Sequence, residues 1–290
     1  MSSSFLITPQ ALQARLAQSP EKVLLCDCRF DLVDPDLGKR AYAVSHLPGA
    51  VYVDLGRSLS GTKNGLNGRH PLPDADVFAR YLAALGANED TLIVAVDAHG
   101  GLYSSRLWWL ARSVGHASVV VLDGGMPAWE KAGYTLTSVQ PAARPLGNFK
   151  RGASLVSAVD LANMQAGLGR ADRLIVDARA GDRFQGQNET LDAKAGHIPG
   201  SASRPVKENL NDDGTFKAPE VLRAELTKLL GAHPVKDLVA SCGSGVSACH
   251  LLLVLEVAGL SGAALYGGSW SEWSSQPNAP IETGPSTVNG

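Results

Sequence analysis

The sequence is poor in cysteine, in net charge and in long apolar runs. Its 290 residues include 4 cysteines, and the formal net charge at pH 7 is −2. So few cysteines do not make a disulfide framework, and we expect a reducing, cytoplasmic compartment. A nearly neutral chain is not built for wholesale binding of nucleic acid or acidic membranes. No apolar run reaches the roughly 18–20 residues of a membrane span, and the start, "MSSSFLITPQ", predicts no signal peptide.

The sequence repeats itself once. The stretch "SHLPGAVYVD" at 45–54 resembles "GHIPGSASRP" at 196–205, and several other stretches match at nearly the same separation of about 150 residues. A constant separation indicates two copies of one domain. A proline-rich stretch without apolar periodicity lies between the copies and suits a linker. We therefore predict a first domain at 1–138, a linker at 139–152 and a second domain at 153–290.

Each copy alternates short apolar runs with amphipathic stretches, which predicts an α/β fold. Thr8 and Pro9 are expected to begin the first helix as its N-cap and first residue. Short β-rich runs between helices favour a parallel sheet flanked by helices, and here that arrangement is expected twice. Cys26 and Cys28 share one face of a predicted strand, so we interpret them as small core residues. The tail at 280–290 is expected to be a loose end.

The stretch "SCGSGVSACH" at 241–250 joins a predicted strand to a predicted helix. In a parallel α/β sheet the ligand site lies beyond the carboxyl ends of the strands, and Cys242 stands there. The unpaired N–H groups and the dipole of the next helix favour an anion at this point. We therefore expect Cys242 to be a thiolate nucleophile. The alternative is an ordinary buried cysteine ahead of a glycine turn.

The loop residues have distinct expected tasks. Gly243 and Gly245 allow backbone conformations that turn amides toward the sulfur. Ser244 and Ser247 add hydroxyl donors without adding charge. Cys249 lies beside an apolar run and is interpreted as a packing residue.

Two comparisons limit the chemistry of the loop. Cysteine phosphatases of the C-x5-R pattern need an arginine six residues after the cysteine, and this chain has Ala248 there. Phosphoryl or arsenate chemistry is therefore disfavoured. The matching loop of the first copy has Asp97 in place of the cysteine. The first domain is thus expected to be catalytically inactive and to help wall the pocket.

Four motifs occur in the same order in both copies and resemble those of tandem-domain rhodaneses, which are sulfurtransferases. They include the "SHLPGA" and "GHIPGS" turns, the "DGGMPAW" and "YGGSWSEW" stretches, and the cysteine loop, which has Asp97 in place of the cysteine in the first copy. The resemblance covers nearly the whole chain. It implies two rhodanese-like domains, each a parallel sheet flanked by helices, of which only the second is active.

The family divides by its cysteine loop, and this chain resembles the mercaptopyruvate branch. Thiosulfate enzymes tend to have basic residues just after the cysteine, whereas mercaptopyruvate enzymes have a loop similar to C-G-S-G-V-T. Here the loop is "CGSGVS" at 242–247. The resemblance implies that the Cys242 thiolate takes sulfur from 3-mercaptopyruvate, releases pyruvate and passes the sulfur to a thiol, thioredoxin, glutathione or cyanide. It implies no metal and no organic cofactor.

The carboxylate of such a donor needs a cation. Arg183 matches an arginine that the mercaptopyruvate enzymes use for this task, whereas Arg179 is interpreted as structural. The family usually has a second arginine about nine residues later, but 187–197 contains none. Lys194 and Arg69 are the candidates to replace it.

The remaining site expectations concern proton transfer and substrate contacts. Ser244 is a candidate to relay a proton to or from the leaving sulfur, assisted by His46 or by Asp36. His197 occupies the same motif position as His46 and is interpreted as structural. The predicted catalytic residues are Cys242, Ser244 and Ser247, and the predicted substrate-binding residues are Arg183, Gly243, Gly245, Val246, His46, Arg69 and Lys194.

Two other functions stay open at this point. A thiosulfate:cyanide sulfurtransferase would use the same fold, although no basic residue lies between Cys242 and His250. A sulfur-carrier module fed by a partner protein would also need the intact cysteine loop. Loading from a protein donor but not from small molecules would distinguish the carrier.

Overall fold

The computed structural model describes residues 5–286, which fold into two compact units. Among them, the first unit consists of residues 5–61, Pro73–Leu155 and Leu210–Phe216, and the second of Thr62–Leu72, Val156–Asn209 and 217–286. Each unit therefore includes a short segment from the other half of the sequence, which the repeat did not predict. The predicted linker, 139–152, contains no helix or strand and belongs to the first unit. As a domain boundary it stays a prediction.

The described residues of the first unit form alternating strands and helices. In chain order these are β1 (Leu6–Ile7), α1 (Pro9–Gln18), β2 (Val23–Asp27), α2 (Leu37–Val44), β3 (Val51–Tyr52), α3 (Ala75–Ala84), β4 (Leu92–Val96), α4 (Ser104–Ser113), β5 (Val119–Leu122) and α5 (Gly125–Lys131). A 3₁₀ turn, Pro20–Lys22, precedes β2.

The second unit repeats this order. Its elements are β6 (Ser157–Val159), α6 (Leu161–Ala166), β7 (Leu174–Asp177), α7 (Gly181–Phe184), β8 (Ser201–Ser203), α8 (Pro219–Leu230), β9 (Leu238–Ser241), α9 (Ser247–Val257), β10 (Ala264–Tyr266) and α10 (Ser269–Trp273). The 3₁₀ turns Val206–Asn209 and Val235–Asp237 precede α8 and β9.

Each unit contains one five-stranded sheet, in which the pairings between the described strands are parallel. The strand order is β1-β5-β4-β2-β3 in the first unit and β6-β10-β9-β7-β8 in the second. Because consecutive parallel strands need a crossover, helices separate most of them and cover the sheet. The identical order in the two units confirms the predicted α/β class and the duplication.

The sequence reason for these sheets is the apolar character of their central strands. β2 is buried along its whole length, as expected of a parallel strand covered on both faces. Each unit has its own core. Trp129 belongs to the core of the first unit, and Trp270 and Trp273 to that of the second. Helix α1 begins as predicted, since Thr8 Oγ1 accepts the N–H of Ala11 and Pro9 is the first helical residue.

An arginine–aspartate pair follows the same strand in both units. Arg29 Nη2 donates to Asp27 Oδ2 at 2.7 Å, and Arg179 Nη2 donates to Asp177 Oδ2 at 2.8 Å. Each guanidinium also donates to a carbonyl oxygen just ahead of the repeated "HLPG" or "HIPG" turn. The pair therefore ties the end of a central strand to that turn, which confirms the structural role predicted for Arg179.

The predictions for the first two cysteines and for the tail have different outcomes. Cys26 and Cys28 are 0% and 1% exposed, and burial raises the pKa of the Cys26 thiol to about 12, which confirms them as core residues. The loose tail is wrong for 280–286, because the main chain of Glu282 pairs with that of His197 at 2.8 and 3.0 Å. Residues 287–290 lie outside the described part. Among residues 5–286, no helix is long and apolar enough to cross a membrane.

Candidate active site

Cys242 directly follows β9, and α9 begins five residues later. Its side chain is buried, at 1% exposure, and the amide of Gly245 donates to its sulfur at 3.1 Å. The Cys242 amide donates to Ser269 Oγ at 3.0 Å, and that oxygen lies 4.0 Å from the sulfur. The main-chain carbonyl of Cys242 accepts the amide of Trp270 at 2.9 Å. The loop thus fixes the sulfur at the carboxyl end of the sheet with an N–H group directed at it.

Gly245 is required by this geometry. Its φ is +75°, a left-handed conformation, and a Cβ at this position would lie 2.2 Å from the carbonyl oxygen of Gly267. Only glycine fits both conditions. The amide of Gly245 contacts Cys242 Sγ, which agrees with the expectation that this glycine turns an amide toward the sulfur.

The first unit fills the corresponding loop with a carboxylate. Asp97 is 1% exposed, and its Oδ1 accepts the amides of His99 and Gly101 at 2.9 and 3.0 Å. Its Oδ2 accepts the amides of Tyr103 and Ser104 at 2.8 and 2.9 Å. The corresponding loops therefore direct four main-chain amides at a carboxyl group in the first unit and one amide at a cysteine sulfur in the second.

Ser244 contacts a histidine from the segment 62–72, which belongs to the second unit. Its Oγ lies 2.9 Å from Nδ1 of His70, and the two side chains are 4% and 6% exposed. Val246 is buried next in the loop, and Ser247 is the first residue of α9. A hydroxyl bonded to an imidazole is an arrangement that can accept and return a proton.

Two guanidinium groups lie beside the loop. A Cβ on Gly243 would lie 2.9 Å from Nη2 of Arg69 and 3.6 Å from both terminal nitrogens of Arg183. The side chains of Arg69 and Arg183 are 24% and 17% exposed. The structure thus brings together two of the predicted substrate-binding residues at the residue that follows Cys242.

Two acids from the segment 187–197 face these guanidiniums. Both carboxylate oxygens of Glu189 lie 2.8 Å from Arg183 Nη2. Although burial acts to raise the pKa of Glu189, the bonds to Arg183 and to two main-chain amides lower it on balance. Asp192 forms an ion pair with Nη1 of Arg69, and its other oxygen lies 3.7 Å from Arg183 Nη2.

A profile of the rhodanese-like domain matches residues 8–132 and 157–276, one match in each copy. The chain belongs to the rhodanese family.

Several proteins are similar to this chain over most of its length. A Pseudomonas aeruginosa protein named "Probable 3-mercaptopyruvate sulfurtransferase" is 44% identical over 98% of this chain and 100% of its own. A Cricetulus griseus thiosulfate sulfurtransferase is 36% identical over 84% of this chain and 82% of its own. The solved structure of 3-mercaptopyruvate sulfurtransferase from Leishmania major has a TM-score of 0.83 at 29% identity, covering 96% of this chain and 76% of that one.

Arg179 and Lys194 are two further basic residues, and both contact Trp270. Arg179 is 3% exposed, and its guanidinium lies 5.0 Å from the ring of Trp270. Lys194 directs its ammonium to the carbonyl oxygen of Gln276 at 3.1 Å, and its own carbonyl oxygen accepts the indole N–H of Trp270 at 3.0 Å. Since its charge is directed to a main-chain carbonyl, Lys194 is a weaker substitute for the missing second arginine than Arg69.

The expected role of His46 needs correction, whereas that of Asp36 stays a prediction. His46 lies in the first unit, is fully buried, and has a carbonyl oxygen within hydrogen-bond distance of each ring nitrogen, at 2.8 and 3.2 Å. Those contacts assign it to the fold of the first unit rather than to substrate binding. Asp36 is the residue before helix α2 of that unit. The partner of Ser244 is instead His70.

Sequence reasoning missed three residues of the site, namely His70, Glu189 and Asp192. His70 directly follows Arg69, so the signal for it was a basic and titratable pair in a glycine-rich segment. Glu189 and Asp192 lie in the segment 187–197, where the family usually has a second arginine and this chain has none. Acids six and nine residues after the candidate carboxylate-binding arginine, Arg183, are a signal that the sequence does contain.

Proposed function

We propose that this rhodanese is a sulfurtransferase that takes sulfur from 3-mercaptopyruvate, holds it as a persulfide on Cys242 and passes it to a thiol or to cyanide. The observation that carries the proposal is the pair of guanidiniums, Arg69 and Arg183, beside Gly243. The donor is a small α-keto acid that brings a sulfur and a carboxylate together, and a nucleophile next to two arginines suits both groups. The name of the 44% identical relative contains the same donor.

In the first half-reaction the Cys242 thiolate attacks the sulfur of the donor, not a carbon. The new S–S bond forms as the donor's S–C bond breaks, and the bonding electrons leave on the pyruvate enolate. The donor's thiol loses its proton, and the enolate carbon gains one, so pyruvate and an anionic persulfide result. The Gly245 amide, which contacts Cys242 Sγ at 3.1 Å, can stabilise charge at the sulfur in the manner of an oxyanion hole.

Ser244 and His70 are suited to move that proton. A neutral imidazole with Nδ1 as acceptor takes the hydroxyl proton of Ser244, whose oxygen can in turn accept the proton of the donor's thiol. Returning the proton by the same route protonates the enolate carbon. Ser247, the first residue of α9, is proposed to donate a hydrogen bond from its hydroxyl to the outer sulfur of the Cys242 persulfide.

In the second half-reaction an acceptor attacks the outer sulfur of the persulfide. Cyanide would leave as thiocyanate, and a thiol would leave as a persulfide, with the Cys242 thiolate regenerated in both cases. Thioredoxin and glutathione are the acceptors that we propose. The cycle needs a reduced Cys242, and for that reason we propose a reducing compartment, the cytoplasm. The first unit, with Asp97 where the second has Cys242, is proposed to be catalytically inactive.

A thiosulfate:cyanide sulfurtransferase is the second candidate, because a 36% identical relative has that name. The two acids among the arginines argue against it. Glu189 and Asp192 offset the charges of Arg183 and Arg69, and a dianion such as thiosulfate gains more than a monoanion from positive charge.

The deciding experiment is a steady-state assay with 3-mercaptopyruvate and thiosulfate as donors and cyanide as acceptor. We expect kcat/KM to favour 3-mercaptopyruvate by at least about tenfold, or about 1.4 kcal/mol of transition-state preference. A preference for thiosulfate would replace the proposed donor. Activity with neither donor, together with persulfide loading from a protein donor, would make the chain a sulfur carrier.

A further inference from the structure

The carboxylate of Asp192 lies between the two arginines that we assign to the donor. Its Oδ1 pairs with Nη1 of Arg69, while its Oδ2 lies 3.7 Å from Nη2 of Arg183. The Asp192 side chain is 7% exposed, whereas those of Arg69 and Arg183 are 24% and 17% exposed. An internal carboxylate thus occupies the position between two guanidiniums that a bound carboxylate would need.

The two acids are held in different ways. Glu189 is anchored, since Arg183 bonds to both of its oxygens and Oε1 also accepts the amides of Leu191 and Asp192 at 2.9 and 3.1 Å. Asp192 Oδ2 is buried without a hydrogen-bond donor within the described residues, and Nε of Arg183 is likewise buried without an acceptor there. A buried carboxylate oxygen without a donor is destabilised by desolvation. Of the two acids, Asp192 is therefore the one that a ligand can displace.

The charge balance of the cluster also depends on Asp192. Arg69 and Arg183 face Asp192 and Glu189. Arg179 also lies 3.5 Å from Glu189, but its charge is matched by its own partner Asp177, so the formal charges of the cluster cancel. A monocarboxylate that takes the place of Asp192 preserves that balance. A dianion in the same place would leave one excess negative charge beside Arg69, Arg183 and Glu189. Removal of the Asp192 charge should strengthen the binding of a dianion more than that of a monoanion.

We propose that Asp192 is a specificity-determining residue that competes with the donor carboxylate for Arg69 and Arg183 and is displaced when the donor binds. This inference rests on the proposed function, because it assigns the arginine pair to the donor. It also predicts that Asp192 weakens the binding of carboxylate ligands and weakens the binding of dianions more than that of monoanions.

The test is calorimetric titration of the full chain with pyruvate, an unreactive monocarboxylate, and with sulfate, an unreactive dianion. Asp192→Asn keeps the shape of the side chain and removes its charge. We expect it to bind pyruvate about tenfold more tightly than the wild type and to gain more than that for sulfate. Asp192→Ala should show the same direction. Asp172→Asn is the matched control, because it removes an equal charge from an exposed pair with Arg170 in the same unit and should change binding less than twofold.

Unchanged or weaker pyruvate binding in Asp192→Asn, with an unchanged unfolding midpoint, would overturn the inference, because it would mean that Asp192 only positions the arginines. Absence of pyruvate binding in every variant would overturn it too. Arg69→Gln combined with Asp192→Asn should lose the gain. Tighter pyruvate binding by Asp192→Asn, together with no turnover of 3-mercaptopyruvate by the wild type, would support Asp192 as a competitor and reject the proposed function. Turnover by the wild type without tighter pyruvate binding by Asp192→Asn would support the proposed function and reject Asp192 as a competitor.

Discussion

Nδ1 of His70 and Oγ of Ser244 are 2.9 Å apart although 174 positions separate the two residues in the chain. Both side chains are buried in the second unit, and Ser244 is two residues from Cys242 in the loop. The contact connects the segment 62–72 to the cysteine loop of the other half of the sequence. It places an imidazole beside the loop hydroxyl, a group that the loop sequence alone does not contain.

His70→Gln should lower kcat with 3-mercaptopyruvate by about a hundredfold, because a positioned general base contributes on that order. KM should change little, because His70 contacts Ser244 rather than the arginines beside Gly243. The measurement is a series of steady-state rates with 3-mercaptopyruvate, from which kcat and KM are obtained separately. His233→Gln is the control, since His233 lies in the turn that follows α8 in the same unit. A double variant with Ser244→Ala should lose no more than either single variant, and additive losses would contradict a shared role.

Cys242→Ser should abolish sulfur transfer from every small donor while leaving the fold intact, because the hydroxyl cannot form a persulfide. Loading is measured as one added sulfur atom in the intact mass and as thiocyanate formed after addition of cyanide. Cys249→Ser is the comparison, because the Cys249 thiol donates to the carbonyl oxygen of Gly245 at 3.1 Å, and a serine can make the same bond. Turnover retained by Cys242→Ser would reject the mechanism.

Arg183→Ala should reduce kcat/KM for 3-mercaptopyruvate by about 10- to 100-fold, the range expected for loss of a charge-assisted bond to a carboxylate. Residual thiosulfate use should fall much less. The measurement is the ratio of the two donors in the variant and in the wild type. Arg170→Ala, an exposed arginine of the same unit, serves as control. Equal losses for both donors would show that Arg183 does not read the carboxylate.

Arg179→Ala should destabilise the second unit by about 3–5 kcal/mol, because it leaves the buried Asp177 carboxylate without its partner. Urea unfolding followed by tryptophan fluorescence measures this, since Trp270 stacks on the same guanidinium. Arg183→Ala, with a more exposed side chain, should lose less stability. A stability loss below 1 kcal/mol for Arg179→Ala would contradict its structural role.

Much of the fold could be predicted because its signals are local. Continuous apolar runs such as Val23–Asp27 and Leu238–Ser241 indicate buried parallel strands, and both are strands in the structure. The short elements escaped. Helix α2 and the two-residue strand β3 have too few residues for a periodic pattern. The ordered main chain at Glu282 escaped as well, because its bonds to His197 cross 85 positions.

The candidate site divides in the same way. Sequence placed Cys242, Ser244 and Gly245 in one loop, and it named Arg183 and Arg69. It named His46 or Asp36 as the group that assists Ser244, although both nitrogens of the His46 ring face carbonyl oxygens of the first unit. The acids Glu189 and Asp192 were not predicted, because only a cation was expected in the segment 187–197.

The sequence by itself determined the duplicated α/β architecture and the place of Cys242 in the loop between β9 and α9, because strand patterning and the helix-entry loop depend on neighbouring residues. Only the tertiary structure decided which histidine meets Ser244 and which charges meet the arginines. The segment Thr62–Leu72 joins the second unit, and the path of a chain over more than a hundred residues is set by the packing of whole elements rather than by any local pattern. His70 and Asp192 therefore became visible only when the fold brought distant segments together.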